Sequence, residues 1–374
     1  MNDLSLRRAM PEEAEFLSGL YRKLPFNFKD PLFVDKDKLR RALEEERTLC
    51  FTAACRGEAV GLLSLLSLKE HGLCKLHQMG VGAEAPAGTL RALVDFALDW
   101  VRDTQKWVDI VYSTTRTLTW DEQRLTLDAG FKVLGIFPKA EIHVRREGTD
   151  VSGFSGLTAF FIGDTLSRRR HAGFALHPAV RPFYEIVRRQ LGLEALPDAD
   201  PRLPAATAGR PVLELIQARN FVARRFQKLK ERKMLSVNFY PFTEPNALVT
   251  DPDQRAEVFV NIIREINFAT VIGEHVSLLV DPVALCGAIA EILHDNGVTY
   301  IEFINDAADA AGLECILRAG YLPCAYFPAL KKHAGRRRDF VIFARSWEPL
   351  LPSQGKAGGL YAEFLEEYRK LLKA

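Results

Sequence analysis

Residues 127–138 read LDAGFKVLGIFP, and residues 317–328 read LRAGYLPCAYFP. At an offset of 190, Leu127, Ala129, Gly130, Phe137 and Pro138 fall on Leu317, Ala319, Gly320, Phe327 and Pro328, with Phe131 on Tyr321. Five identities in twelve positions, with aromatic matched to aromatic, mark an internal repeat. Each glycine follows a short amphipathic run and suits a left-handed helix cap, and the apolar run after it reads as a strand.

The surroundings repeat in the same order. Pro25-Phe26 precedes strand-like runs at 49–54, 59–66 and 74–81, and Pro241-Phe242 precedes runs at 257–263, 268–273 and 276–280. A helix follows each set: Leu90, Leu93, Ala97 and Val101 share one face, as do Leu285, Ala288, Ile289 and Ile292. Next come buried strands at 108–112 and 300–304, the short helix ending in Ala-Gly-aromatic, and final apolar runs at 157–162 and 340–344.

The expected organisation is a first copy over 1–165, a connecting helix and linker over 166–210, a second copy over 211–348, and a linker plus helix over 349–374. The four prolines in 193–211 carry the linker reading. Leu360, Phe364, Tyr368 and Leu371 form a stripe by which the last helix packs on a domain.

Composition narrows the function. Across 374 residues, 48% hydrophobic and 26% charged, the net charge is only +2, so any polyanionic partner needs a local patch. Apolar stretches such as 258–263 are strand-sized, far short of the ~20 residues of a membrane span, and MNDLSLRRAM lacks the apolar core of a secretory signal. A cytoplasmic protein is expected. The six cysteines show no C-x-x-C spacing and the eight histidines no H-E-x-x-H, so no metal is expected. The nucleophile-elbow, P-loop and dinucleotide glycine motifs are also missing.

The order of elements resembles the GNAT superfamily of acyl-CoA-dependent N-acyltransferases. The residues that carry the likeness are Val81-Gly82-Ala83-Glu84 leading into a helix at 89–102, and Ala129-Gly130-Phe131. In the second copy they are Val280-Asp281-Pro282 and Ala319-Gly320-Tyr321. The resemblance implies an α+β fold of two GNAT-like repeats with mixed sheets. In each, two parallel strands splay so that pantetheine lies between them as a pseudo-strand, and the CoA pyrophosphate sits on free N–H groups at the next helix.

On that basis the co-substrate is acetyl-CoA or another acyl-CoA, held in the first copy by Met79, Gly80, Val81, Ala87, Gly88, Thr89, Leu90 and Arg91. The turn is poorer in Gly and Arg than is usual in the family. In the second copy Asp281 and Pro282 form a self-sufficient helix cap, and the site is expected to be lost. His77, placed by strand alternation on the side of Met79 and Val81, is the candidate base. The family's acid Tyr is replaced by Thr126 and Ile316, which leaves Tyr112 as the candidate acid.

On the acceptor side, Glu244 and Asn246 in the loop 240–246, and Arg337 and Arg338 in the basic run 331–338, are the candidate substrate-binding groups. The acceptor is an amine of a small molecule or peptide. Transfer to a carrier-protein partner docked by the basic run stays open, as does a catalytically inactive, GNAT-derived binding or scaffold protein. The helix expected at 212–233 has seven basic residues between Arg219 and Lys233 against Glu231 alone, and a buried stripe of Leu215, Val222, Phe226 and Leu229. No stacking aromatics share the basic face, so nucleic acid is not the expected partner.

Overall fold

The computed structural model describes residues 4–26, 30–116, 120–144, 150–203, 211–237, 241–348 and 358–373. Two compact units result. The first comprises Met1–Thr115, Asp121–Lys132 and Thr158–Thr165; the second comprises Arg116–Trp120, Val133–Leu157 and Leu166–Ala374.

The chain opens with β1 (Leu4–Arg8), α1 (Ala14–Lys23), α2 (Pro31–Val34) and α3 (Lys36–Glu44). The meander β2 (Thr48–Cys55), β3 (Glu58–Leu68) and β4 (Leu73–Val81) leads into α4 (Thr89–Thr104). β5 (Ile110–Arg116), α5 (Trp120–Asp128), β6 (Lys132–Val144) and β7 (Asp150–Phe161) complete the first element list.

In the first unit the strand order is β1-β2-β3-β4-β5-β7. The sheet is covered on both faces, which explains the nearly unbroken apolar run GLLSLLSL in β3. Leu63 and Leu65 pack with Leu93, Val94, Ala97 and Val101 of α4. Leu62 turns to the other face, where Leu17, Leu20 and Tyr21 of α1, Phe33 of α2 and Leu39 of α3 close the core. Each such side chain removed from water contributes about 1.5–3 kcal/mol.

The second list begins after α6 (Arg181–Leu191) with β8 (Glu214–Ile216), α7 (Arg219–Glu231), β9 (Ser236–Val237) and β10 (Ala247–Thr250). β11 (Ala256–Ile263), β12 (Phe268–Val276), α8 (Pro282–Asp295), β13 (Tyr300–Asp306), α9 (Ala310–Arg318), β14 (Leu322–His333), β15 (Arg336–Ser346) and α10 (Leu360–Lys373) follow. In the second unit the order runs β7-β6-β14-β15-β13-β12-β11-β10-β8, with β9 paired to β12. α10 packs against α6 and β14 through Tyr361, Phe364, Leu365 and Tyr368.

The repeat motif occupies the same structural place in both lists. Gly130 (φ 89°) and Gly320 (φ 84°) are left-handed. Gly130 donates to Leu127 O and Phe131 to Thr126 O; Gly320 donates to Leu317 O and Tyr321 to Ile316 O. These are two Schellman caps, each sending the chain into the next strand. The equivalent residues Gly135 and Ala325 pair across β6 and β14. A Cβ at 135 would collide with the Ala325 backbone, so only glycine fits there.

Two sequence expectations shift. The second meander is β10, β11 and β12, not runs at 257–263, 268–273 and 276–280. Gly273-Glu274-His275 continues a strand instead of turning, and the short run Ala247–Thr250 pairs with β11 as its first member. Val81 therefore corresponds to Val276, not Val280. The basic helix starts at Arg219, because Leu215 belongs to β8, which pairs with β10. Val222 and Leu229 are its buried residues, Arg225 pairs with Glu257, and the other bases face outward. The linker stretch 204–210, the segment 349–357 and Tyr240 lie outside the described residues.

Candidate active site in the first unit

β4 and β5 are parallel and pair only over Leu73↔Ile110, Cys74↔Val111 and Lys75↔Tyr112. Beyond that point both strands continue without pairing to each other. Among the described residues, no strand occupies this edge of β4 from Leu76 to Val81. A groove between two strand edges that, among the described residues, do not pair with each other suits an extended amide-bearing ligand.

β12 and β13 splay in the same way after Phe268↔Tyr300, Ala269↔Ile301 and Thr270↔Glu302. There the edge is already filled. Gly273 pairs with Phe259 of β11 on one side and with Val237 of β9 on the other; Glu274 likewise pairs with Val258 and Ser236. The chain thus places its own strand β9 where a pseudo-strand would lie. His275 Nδ1 also lies 2.9 Å from Met234 O. Glu274, set in this second groove, is raised above the ordinary carboxylate range by burial and by Asp309.

The helix that follows each groove repeats the contrast. α4 has Gly88 as N-cap, with φ 83° and no side-chain cap bond; the Thr89 amide donates to Pro86 O, and the amides after it receive no side-chain cap. Around a Cβ built at Gly88, nothing lies within 4 Å. Such an N-terminus favours an anion through its amides and dipole. At α8, Asp281 accepts from Ala284 N at 2.7 Å, so the protein's own carboxylate takes the donor.

Inside the first turn the residues differ in use. Ala87 is exposed, and Leu90 is half-buried. Thr89 is buried and donates to Pro86 O. Arg91 is held by Asp95 one turn along, at 2.7 Å. The exposed Glu84 folds its carboxylate back over Gly82, where a Cβ would strike it. This carboxylate is the one feature of the turn that opposes an anion.

His77 sits at a β-bulge. The register passes from Leu63↔Met79 to Leu65↔Leu76, so Ser64 faces two residues, His77 and Gln78. In β12 the extra residue is Ile272, which like His77 is the fifth of its strand. The bulge reverses the alternation. Leu76, Met79 and Val81 pack toward α4, while His77 reaches Asp30 on the other side. The expectation that His77 shares a side with Met79 and Val81 is thereby corrected.

Asp30 caps the short helix α2: Oδ1 accepts from Leu32 N at 2.8 Å, and Oδ2 lies 2.5 Å from His77 Nε2. Its backbone N–H donates to the Tyr21 hydroxyl at 2.7 Å. Tyr21 stacks on Phe26 at 4.5 Å, and Gly80 lets Phe26 approach, since a Cβ there would lie 2.8 Å from the ring. Burial pushes the Asp30 carboxyl up, but the bonds from His77 and Leu32 outweigh it and hold Asp30 below its ordinary range. Burial raises the Tyr21 phenol. The result is a partly exposed imidazole with one nitrogen fixed by a carboxylate, an arrangement able to accept a proton at the other.

Tyr112 stands where the two strands part, opposite Lys75. Burial, followed by the nearby Cys74, drives its phenol far above the ordinary value, so it is a poor proton donor to a thiolate. Thr126 is buried and bonded to Gln123 O.

The remaining predicted substrate residues belong to the second unit, and the structure gives Asn246, Arg337 and Arg338 partners within it. Asn246 bridges β11 through both amide atoms, donating to Ile262 O and accepting from Ile262 N, each at 2.8 Å. Glu244 is exposed, with its carbonyl held by Asn261. The run 331–338 is the end of the β14–β15 hairpin, turned at Ala334 and Gly335 with φ 48° and 80°. Arg337 is only 1% exposed and donates to Ala329 O and Leu330 O. Arg338 pairs with Asp306 at 2.8 Å.

Sequence reading missed Asp30 and β9. Asp30-Pro31 has the same cap signature as Asp281-Pro282, but nothing local announces a contact 47 residues away. The signal for β9 was equally small, a two-residue ladder inside MLSVNF.

No family model matches the chain, and no curated protein matches it. Solved structures do. The spermidine N-acetyltransferase of Vibrio cholerae in complex with CoA and spermine is 15% identical, with 42% of this chain and 95% of that chain covered and a TM-score of 0.33. An acetyltransferase of the GNAT family from Streptococcus pneumoniae is 16% identical over 43% and 99%, with a TM-score of 0.35. The ribosomal-protein-S18-alanine N-acetyltransferase of Escherichia coli is 14% identical over 43% and 94%, with a TM-score of 0.34. Among the described residues, no helix is long and apolar enough to cross a membrane.

Proposed function

We propose that the first unit is an acyl-CoA-dependent N-acyltransferase and that the second is closed to the co-substrate. The observation that carries this reading is the contrast between the two grooves: one has a free β4 edge and an uncapped α4, the other is filled by β9 and capped by Asp281. Met79, Gly80 and Val81 would line the pantetheine arm, and Ala87 to Arg91 the pyrophosphate. The thioester supplies an activated acyl carbon. His77 takes the proton of the attacking ammonium, directly or through a water, while Asp30 keeps its ring in position. The nitrogen then bonds to the acyl carbon and the C–S bond breaks, the thiolate gaining its proton from solvent. An acetyl group and an amine of a small molecule or peptide are the proposed reactants.

A second reading, a binding protein without catalysis, is favoured by Glu84 over the turn and by Thr126 in the acid's place. Native mass spectrometry of the full chain with acetyl-CoA separates the two. The first reading requires one retained acetyl-CoA per chain and acetylation of an amine; two bound copies would contradict the closed second groove, and none would leave the binding protein. Glu84→Gln should tighten acetyl-CoA about three- to tenfold at low salt by removing one like charge, and the gain should shrink as salt rises. Unchanged affinity would place the phosphates elsewhere.

A further inference from the structure

The inner side of α7 is locked to the sheet of the second unit. Val222 and Leu229 are buried, Phe226 meets Phe259 edge-on with ring centroids 5.2 Å apart, and Arg225 pairs with Glu257 at 2.7 Å. The helix cannot roll, so its other side stays turned outward. Phe221, Arg224, Lys228 and Arg232 follow one another there at spacings of three, four and four residues, a stripe about 17 Å long. Arg219, Lys230 and Lys233 are exposed as well, and Met234 follows at the far end.

Six cations are thus exposed between residues 219 and 233, against the single acid Glu231, whose carboxylate accepts from Gln227 at 3.0 Å. Among the described residues, none of the six forms an ion pair; Arg224 donates to Asn220 O, a helix carbonyl that leaves its charge standing. Like charges four residues apart oppose a helix, and 224, 228 and 232 set two such pairs in a row. The helix dipole favours Arg232 and Lys233 at the C-terminal end but disfavours Arg219 in the first turn. An anionic partner relieves this repulsion.

The apolar residues point to the kind of partner. Phe221 and Met234 stand 49% and 45% exposed at the two ends of the stripe, large side chains set among cations. A single-stranded nucleic acid is held by successive stacking aromatics, and Phe221 is the one exposed aromatic among the described residues of this stretch. An anionic bilayer matches what is present: long, flexible cations of one sign for the headgroups, and apolar side chains that enter between them.

We propose that the outer side of α7 docks on an anionic lipid bilayer, with Arg224, Lys228 and Arg232 on the headgroups and Phe221 and Met234 at the level of the upper acyl chains. This peripheral contact needs no membrane-spanning segment and is independent of the proposed transferase activity.

Flotation of the full chain with vesicles of phosphatidylcholine and phosphatidylserine, about 3:2, tests it. Binding to these vesicles is expected, with none to pure phosphatidylcholine, and it should weaken steeply as salt is raised. Arg224→Gln, Lys228→Gln and Arg232→Gln together should weaken binding at least about thirtyfold. Removal of as many charges from exposed positions of the first unit, by Arg56→Gln, Lys106→Gln and Lys132→Gln, should change it less than about threefold. Equal losses in the two triple variants would mean that net charge alone is responsible, and would overturn the docking surface. Phe221→Ala should weaken binding about three- to tenfold with its salt dependence unchanged; no loss there would overturn insertion between the headgroups. All these side chains are exposed, so wild-type melting temperatures are expected, which separates lost docking from lost folding. Failure to float with the anionic vesicles overturns the proposal outright. So does displacement of the chain from them by single-stranded RNA or polyglutamate at equal charge concentration, which would assign the face to an acidic macromolecule.

Discussion

Gly88→Asp should lower acetyl-CoA affinity by about a hundredfold or more, equivalent to roughly 2.7 kcal/mol. Two effects act together. The new carboxylate lies at the N-cap of α4, where it can accept from the amides that an anion would otherwise use, as Asp281 does at α8. It also sets a like charge beside the pyrophosphate. Backbone strain is a separate cost, because Gly88 has φ 83° and a non-glycine residue there loses about 1–2 kcal/mol. Gly88→Ala carries the strain without the charge, so it should lower the melting temperature while weakening acetyl-CoA only a few-fold. Ala284→Asp, at the already capped α8, should leave binding unchanged. Calorimetry on the three variants decides the matter: equal losses at 88 and 284, or none at 88, would remove the co-substrate from the first unit.

How much of this was legible in the sequence depended on the range of the interaction. The Ala-Gly-aromatic units were readable because a Schellman cap is a local device with a nearly obligatory glycine. Asp281-Pro282 was equally plain, since cap and first turn are adjacent. The second meander was misplaced because Gly273-Glu274-His275 has turn composition, and only its ladders on both edges make it strand. Arg337 looked like an anion receptor because charge in a basic run suggests solvent, yet the hairpin turns that side chain inward onto two carbonyls. His77 was found for an incomplete reason. Its residue type flagged it, but alternation gave the wrong side, since a bulge inserts one residue without any mark in the sequence.

His77→Ala should reduce kcat by about 10²- to 10⁴-fold, the usual range for a lost general base, while acetyl-CoA affinity stays within a few-fold, because His77 faces Asp30 and not the α4 turn. Asp30→Asn separates positioning from chemistry. The amide retains the shape and can still bond one ring nitrogen, but it replaces a carboxylate partner with a neutral one, so kcat should fall about tenfold with the KM for acetyl-CoA unchanged. A merely structural Asp30 would lower stability and leave kcat alone. Stability carries its own signature. Asp30 has a folded pKa below its unfolded value, so its contribution is full above the ordinary carboxylate pKa and is lost as pH falls through the folded value. Wild type should therefore lose stability relative to Asp30→Asn as the solution is acidified below about pH 4, measured by denaturant midpoints at matched ionic strength. If the two proteins keep a constant difference across that window, the Asp30 carboxyl is not held below its ordinary range in the folded chain. The base would then have to be sought elsewhere along the β4 edge.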